Sequence, residues 1–375
     1  MRVGILTIFS GNYNYGGMLQ AYALNKVINS MGYDAYTVNF EYGTNPLYPT
    51  MVSRCKQYSL PQIIKKFIEI RLEKKTYLIA DKLQKRKSFF RKFSHDYIKQ
   101  TEMYSDYTKI GHDFDVLVVG SDQVWNPNMM RRPLILDIPT TSKKISYASS
   151  IGRSDLSEYE RSYIFPLLED FDNIGVREQS LEEILDEAGI KSTTVLDPTL
   201  LISKDAWSNI ANCRMIENPY VLIYSFSKCE FKTDISEYWK LKGRQVVYIP
   251  YAKQSYNKYD CIDDVATPLF DVGPKEFLSL IKYADHIYTD SFHGSVFSIL
   301  FERQFSVFER SGKNNKVSMN SRIYDLLNDF GLYERMLKND IKKELKVIDY
   351  TIVTPILERK REKSLKWLYA ALTNE

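Results

Sequence analysis

The chain has 375 residues, enough for two to three domains with well-buried cores. Its 44% hydrophobic and 26% charged residues are ordinary for a soluble globular protein, and a net charge of +4 is too small to argue for nucleic-acid binding. Four cysteines (Cys55, Cys213, Cys229, Cys261) form no CxxC pair, which argues against a zinc site and a disulfide framework, and no apolar run approaches the roughly 18–20 residues of a membrane span.

Short β-branched runs alternate with stretches of helical period, the pattern of parallel α/β architecture. A first strand is expected over 3–8, entered without a charged-then-apolar leader, so a cytoplasmic location is expected. The turn Ser10-Gly11-Asn12-Tyr13-Asn14-Tyr15-Gly16-Gly17 follows, and a helix opens at 18–24. The turn is neither GxGxxG nor a P-loop. Its glycines fit a tight turn, and its amide cluster fits hydrogen bonding to a sugar, with Asn12, Asn14, Tyr15 and Gln20 as the candidates.

A second strand is expected over 34–40. Residues 54–99 then carry 14 Lys/Arg against four acids, a local net of +10 that leaves the rest of the chain at −6. The segment reads as helical: either solvated helices packed by an apolar face, or a contact for an anionic membrane or a diphosphate-bearing lipid carrier. Further strands are expected over 115–120 and 144–148. After the first of them, Gly120-Ser121-Asp122-Gln123-Val124-Trp125-Asn126-Pro127 offers Asp122 as a base, Trp125 as an aromatic platform and Asn126 for hydroxyls. Short strands over 173–176 and 193–196 flank a helix starting near Glu178. There Arg177 either aims a guanidinium at the sheet edge or pairs with a neighbouring acid.

The domain change is placed near 203–219, and strands over 220–226, 245–249, 286–289 and 305–308 follow. Of the four histidines, only His293 sits in a suggestive setting, Thr289-Asp290-Ser291-Phe292-His293-Gly294-Ser295, between a strand end and a helix start. Ligands bind at that edge of open α/β sheets, and free N–H groups there favour anions. Asp290 or Ser291 is expected to cap the helix, or Asp290 to orient the imidazole. Lys313, Lys316 and Arg322 follow, each a source of positive charge or simply a surface residue. A last helix is expected over 360–372.

Taken together, 12–24, 119–127, 145–152, 175–180, Leu196-Asp197-Pro198-Thr199-Leu200, 289–294 and 320–327 occur in the order seen in the polysaccharide pyruvyl transferases, and the chain resembles that family over roughly residues 1–330. The resemblance implies an α/β protein of two Rossmann-like domains facing across a cleft, GT-B-like. The domains would be 1–210 with the basic insertion near 54–99, 211–345, and a tail over 346–375 packing back on the first. It implies phosphoenolpyruvate as donor, forming a cyclic pyruvate ketal on a sugar of a bacterial surface polysaccharide or its lipid-linked precursor, with no metal or cofactor. Arg177 matches the family's donor arginine and His293 its catalytic histidine, with Asp122 as a further catalytic candidate. Ser291, Phe292, Lys313, Lys316 and Arg322 complete the expected donor site, and Asn12, Asn14, Tyr15, Gln20, Trp125 and Asn126 the acceptor site. Phe292 stands where the family often has Leu. Two rivals share the architecture: a glycosyltransferase using a nucleotide sugar, and a non-catalytic glycan-binding member of a capsule-assembly complex.

Overall fold

The computed structural model describes residues 1–9, 11–50, 80–226, 232–250, 265–309, 320–337 and 345–373. Two all-parallel sheets organise them. The first holds β1 (Arg2–Leu6), β2 (Asp34–Phe40), β3 (Gln100–Tyr104), β4 (Val116–Val119), β5 (Lys143–Ser149), β6 (Asn173–Val176) and β7 (Thr193–Thr194), in the order β3-β2-β1-β4-β5-β6-β7. The second holds β8 (Tyr220–Tyr224), β9 (Gln245–Tyr248), β10 (Thr267–Pro268), β11 (His286–Thr289), β12 (Gln304–Phe308) and β13 (Met336–Leu337), in the order β10-β9-β8-β11-β12-β13. Each sheet winds outward from its first strand and then reverses, the doubly wound order. Each therefore has a switch point, between β1 and β4 in one and between β8 and β11 in the other.

The central strands are legible because both faces are buried. Val116–Val119 and Tyr220–Tyr224 are buried at every position, so their sequences run continuously apolar instead of alternating. Strand β3, QTEMY, lies at the sheet edge with two exposed residues, and no expectation covered it. The helices are α1 (Tyr15–Ser30), α2 (Ala80–Tyr97), α3 (Glu158–Leu168), α4 (Gln179–Glu187), α5 (Lys204–Ile210), α6 (Lys232–Leu241), α7 (Pro274–Lys282), α8 (Phe292–Leu300), α9 (Ser321–Asp329) and α10 (Tyr350–Thr373).

One hydrophobic cluster runs from the first sheet to the second through α1, α5, α7 and α8. At its centre the Tyr15 ring stacks on Phe277 with centroids 4.5 Å apart, and Phe90 of α2 lies 5.0 Å from Tyr15. Helix α2 reaches the second domain with its charges as well. Arg86 is buried and donates to the carbonyls of Phe270 (2.8 Å), Pro250 (3.0 Å) and Leu269 (3.2 Å), and Lys85 pairs with Asp271 at 2.5 Å. Three carbonyls around one guanidinium are what a buried arginine needs in place of water. The rest of the basic segment, 54–79, lies outside the described residues.

Helix α10 crosses back onto the first sheet. Arg361 donates to the Leu200 carbonyl at 2.6 Å, and the Leu196 amide donates to Ser364 Oγ at 3.0 Å. Trp367 packs over Gly175, where a Cβ would fall 2.8 Å from the indole ring. Only glycine permits that approach.

Candidate active site

The site forms where the two switch points face each other. After β1 the chain turns into α1, with Asn14 as the cap: its Oδ1 accepts the Gly17 amide at 3.1 Å. After β11 it turns into α8 in the same way, Ser291 Oγ accepting the Gly294 amide at 3.2 Å. Both caps satisfy the third amide of their helix. The amides of Tyr15, Gly16, Phe292 and His293 donate to no acceptor among the described residues. The two helix starts touch, since a Cβ on Gly16 would fall 2.0 Å from His293 Nδ1. Two positive helix ends with free N–H groups are a setting for an anion.

His293 is 7% exposed, and its Nε2 lies 3.6 Å from Asp197 Oδ2, beyond hydrogen-bond reach and without another partner among the described residues. Asp197 comes from the first domain, at the start of the turn Pro198–Leu201. Its Oδ1 accepts from the Thr199 amide (3.0 Å) and hydroxyl (2.6 Å), and its Oδ2 from Ser121 Oγ and Arg177 Nη1, both at 3.3 Å. Burial alone would push this carboxyl up. The His293 imidazole, then Arg177 and the Thr199 hydroxyl, hold it well below the ordinary carboxylate range instead.

Arg177 directly follows β6, its amide bonded to the Ser149 carbonyl at 3.0 Å. Its buried guanidinium donates to Glu178 Oε1 (2.9 Å) and Nη1 also to Asp122 Oδ1 (3.4 Å), and it lies 4.5 Å from the Phe292 ring centre. Burial would lower its pKa, but Glu178, Asp122 and Asp197 raise it, so the group stays charged. Its Nη2 is buried and has no partner among the described residues. Asp122 is held with φ at 70°, in the left-handed region that asparagine and aspartate tolerate better than most residues.

The structure thus brings together Arg177, Asp122, Ser291, Phe292 and His293 of the expected set. Lys313 and Lys316 lie outside the described residues. Arg322 is buried in the first turn of α9, on the wall of a cleft of about 500 Å³ that opens beyond Arg177 and Phe292 between α4, α9 and α10.

The residues expected to hold a sugar are placed differently. Asn12 Nδ2 donates to the Ile8 carbonyl at 3.2 Å, and Asn14 is the helix cap. The Tyr15 hydroxyl donates to the Val272 carbonyl at 2.8 Å, and burial pushes its pKa up to about 12. Gln20 is fully buried: Nε2 donates to Thr7 Oγ1 (2.9 Å) and the Gly17 carbonyl (2.8 Å), and Oε1 accepts from the Ser121 amide (3.1 Å) and hydroxyl (3.0 Å). Asn126 accepts the Asn128 amide at 3.0 Å and donates to Gln123 at 2.9 Å. Trp125 is no exposed platform. It is fully buried, edge-on to Phe171 at 6.0 Å, in the apolar cluster that also holds Val119, Val124 and Leu134.

Of the two cap candidates Ser291 is the one that caps α8, and Asp290 accepts from Ser225 Oγ (3.0 Å) and the Phe226 amide (2.8 Å). The carboxylate near His293 is Asp197, which is 96 positions away in the chain. Its segment matched the family pattern, but no local spacing could reveal its partner. Among the described residues no group of three or more His, Cys, Asp or Glu could hold a metal ion, and no helix is long and apolar enough to cross a membrane.

Two doubly wound parallel sheets with their switch points opposed, and a histidine and a carboxylate meeting from opposite sides, define a GT-B-like α/β enzyme fold. The family model for polysaccharide pyruvyl transferases matches residues 14–312, and the chain belongs to that family. Solved structures of UDP-GlcNAc 2-epimerase from Methanocaldococcus jannaschii are similar in fold. One matches with a TM-score of 0.53 at 11% identity, covering 100% of both chains. The other, in complex with UDP-GlcNAc and UDP, matches with a TM-score of 0.51 at 12% identity and the same coverage. No curated protein sequence matches the chain.

Proposed function

We propose that this protein transfers the enolpyruvyl group of phosphoenolpyruvate to two hydroxyls of one sugar, in a bacterial surface polysaccharide or its lipid-linked precursor, and closes a cyclic pyruvate ketal. The observation that carries the reading is the meeting of His293 with buried Asp197 beside Arg177, at two facing helix starts. Phosphoenolpyruvate offers a carboxylate and a phosphate. The four free amides and the unpartnered Nη2 of Arg177 are donors for such groups without any metal.

In this reading a proton adds to the methylene carbon, C2 becomes oxocarbenium-like, and one sugar hydroxyl attacks it. The C2–O bond to phosphate breaks as the second hydroxyl closes the ring. Of the two hydroxyl protons, one balances the new methyl group and the other leaves with phosphate. His293 serves either proton transfer, to carbon or from the attacking hydroxyl, with the Asp197 carboxylate 3.6 Å from its Nε2. Asp122 stands 3.4 Å from Arg177 and serves with Glu178 to hold the guanidinium in place. Arg177 supports the developing charge on the departing phosphate.

The protein would act in the cytoplasm against the inner face of the membrane. Exposed Arg91 and Lys92 of α2 are the groups for that contact, since Lys85 and Arg86 already hold the second domain and Lys82 Nζ lies 4.3 Å from the Phe270 ring centre. The deciding experiment incubates candidate lipid-linked saccharides with phosphoenolpyruvate and reads mass and phosphate. A product heavier by one pyruvyl ketal, with one phosphate released per transfer, is expected. Turnover with a nucleotide sugar, and none with phosphoenolpyruvate, would overturn the reading.

A further inference from the structure

We propose that the acceptor sugar binds as a neutral saccharide in the cleft between α4, α9 and α10, and not on the loops after β1 and β4. This rests on the pyruvyl-transfer reading and adds to it where the second substrate sits.

Most of the loop residues expected to hold a sugar are engaged within the fold, with Asn12 Nδ2 donating to the Ile8 carbonyl and Asn14 capping α1. Tyr15, Gln20 and Trp125 are buried, and Asn126 is engaged with its own turn. The cleft is the opposite case. Its volume of about 500 Å³ lies within the range of small-ligand sites, and it shares Arg177, Asp197 and Phe292 with the catalytic cluster. A saccharide there would present its hydroxyls to the same edge the donor approaches from the helix starts. The buried Nη2 of Arg177, which has no partner among the described residues, belongs to a side chain on this wall.

The wall chemistry selects the ligand class. Glu183, Asp186 and the amides of Gln179 and Asn328 line the opening, Gln179 Nε2 donating to Glu183 Oε1 at 3.1 Å, and hydroxyl donors match the remaining carboxylate and amide oxygens. Deeper in, Asp325 accepts from Ser180 Oγ at 3.1 Å across the domain boundary, and Lys360 pairs with Asp329 at 2.8 Å. Those two contacts fix the wall before any ligand arrives. The cleft's six carboxylates exceed its four Lys and Arg side chains, so a nucleoside diphosphate would meet net repulsion there.

The test uses saturation-transfer NMR with the methyl glycosides of glucose, galactose, mannose and N-acetylglucosamine as probes. Phosphoenolpyruvate affinity is measured by calorimetry on the same samples. At least one glycoside should give signal with the wild type. Asn328→Trp, which fills the cleft mouth, and Glu183→Lys, on an exposed helix face, should each weaken it ~10-fold or more, the scale of one lost hydrogen-bonded contact set, without changing phosphoenolpyruvate affinity. No glycoside signal in the wild type, signal that survives both substitutions, or displacement of the glycosides by UDP would overturn the subsite. If instead phosphoenolpyruvate fails to bind the wild type, the pyruvyl-transfer reading falls, and a glycoside signal sensitive to the cleft variants would still stand on its own.

Discussion

The two flanks of His293 start from the same kind of element, a strand end running into a helix, yet one is sealed and the other open. On the sealed flank Tyr15, Phe90 and Phe277 pack ring to ring, and α2 locks onto the second domain through Arg86. On the open flank α4, α9 and α10 leave a polar cleft beside Arg177 and Phe292. The difference teaches that a polar residue near a strand end is not thereby a binding residue. What decides is whether its hydrogen-bonding capacity is already used within the fold.

The sharpest way to break this comparison is at its centre. His293→Ala should lower pyruvyl transfer by ~10²–10⁴, the usual range for a lost acid or base, with little change in melting temperature. Arg177→Lys should retain charge but lose the fork that grips Glu178 and Asp122, so donor affinity should fall and recover only in part relative to Arg177→Ala. Steady-state kinetics beside thermal melts separate the outcomes. Variants that melt like the wild type and keep full transfer would remove both residues from the site.

On the sealed flank the expected loss is stability. Phe90 is fully buried against Tyr15, so Phe90→Ala should cost about 3–5 kcal/mol, the range for deleting a core aromatic. Turnover per folded molecule should persist below the lowered melting temperature. Denaturant unfolding and kinetics at 10 °C check this together, and a large fall in turnover with no loss of stability would make the flank catalytic after all.

The outer surface of α2 should matter to membranes rather than to folding. Arg91 and Lys92 changed together to Gln should weaken co-sedimentation with phosphatidylserine vesicles by about 1 kcal/mol per residue. Equal pelleting would leave them as a solvated helix face.

How far the sequence alone reaches follows from burial. Strands such as Val116–Val119 and Tyr220–Tyr224 were readable because a strand covered on both faces must be apolar throughout. The sequence places His293 and Arg177 at strand ends, which gather at one edge of a parallel sheet, and the structure brings the two side chains into one cluster with Asp197. Asp197 was named only as part of a motif, since its link to His293 spans two domains. Trp125 was misread because an indole suits a sugar face and a core equally well, and only the packing against Phe171 tells them apart.

The last and smallest effect compares the two histidines that bracket β11. His286 opens the strand, its Nε2 2.9 Å from Ser306 Oγ and its ring against Tyr288 and Trp239, far along the strand from the helix starts. Burial, with the positive Arg335 nearby, pushes its pKa down to about 3. An unfolded histidine titrates near 6.5, so above that pH both states are neutral and His286 adds no pH dependence. Between about 6.5 and 3 the unfolded chain takes up a proton that the folded chain refuses, and stability falls as the pH falls. The slope is at most about 1.4 kcal/mol per pH unit. His286→Gln removes that titration, so its stability should decline less steeply than the wild type's from pH 6 to pH 4. The buried carboxylate of Asp197, held below its ordinary range, contributes its own acid loss equally to both proteins. Urea unfolding at pH 7, 6, 5 and 4 measures the difference in slope. Parallel curves would show that His286 is protonated in the fold, and that the amino end of β11 is not the purely structural end set here against His293.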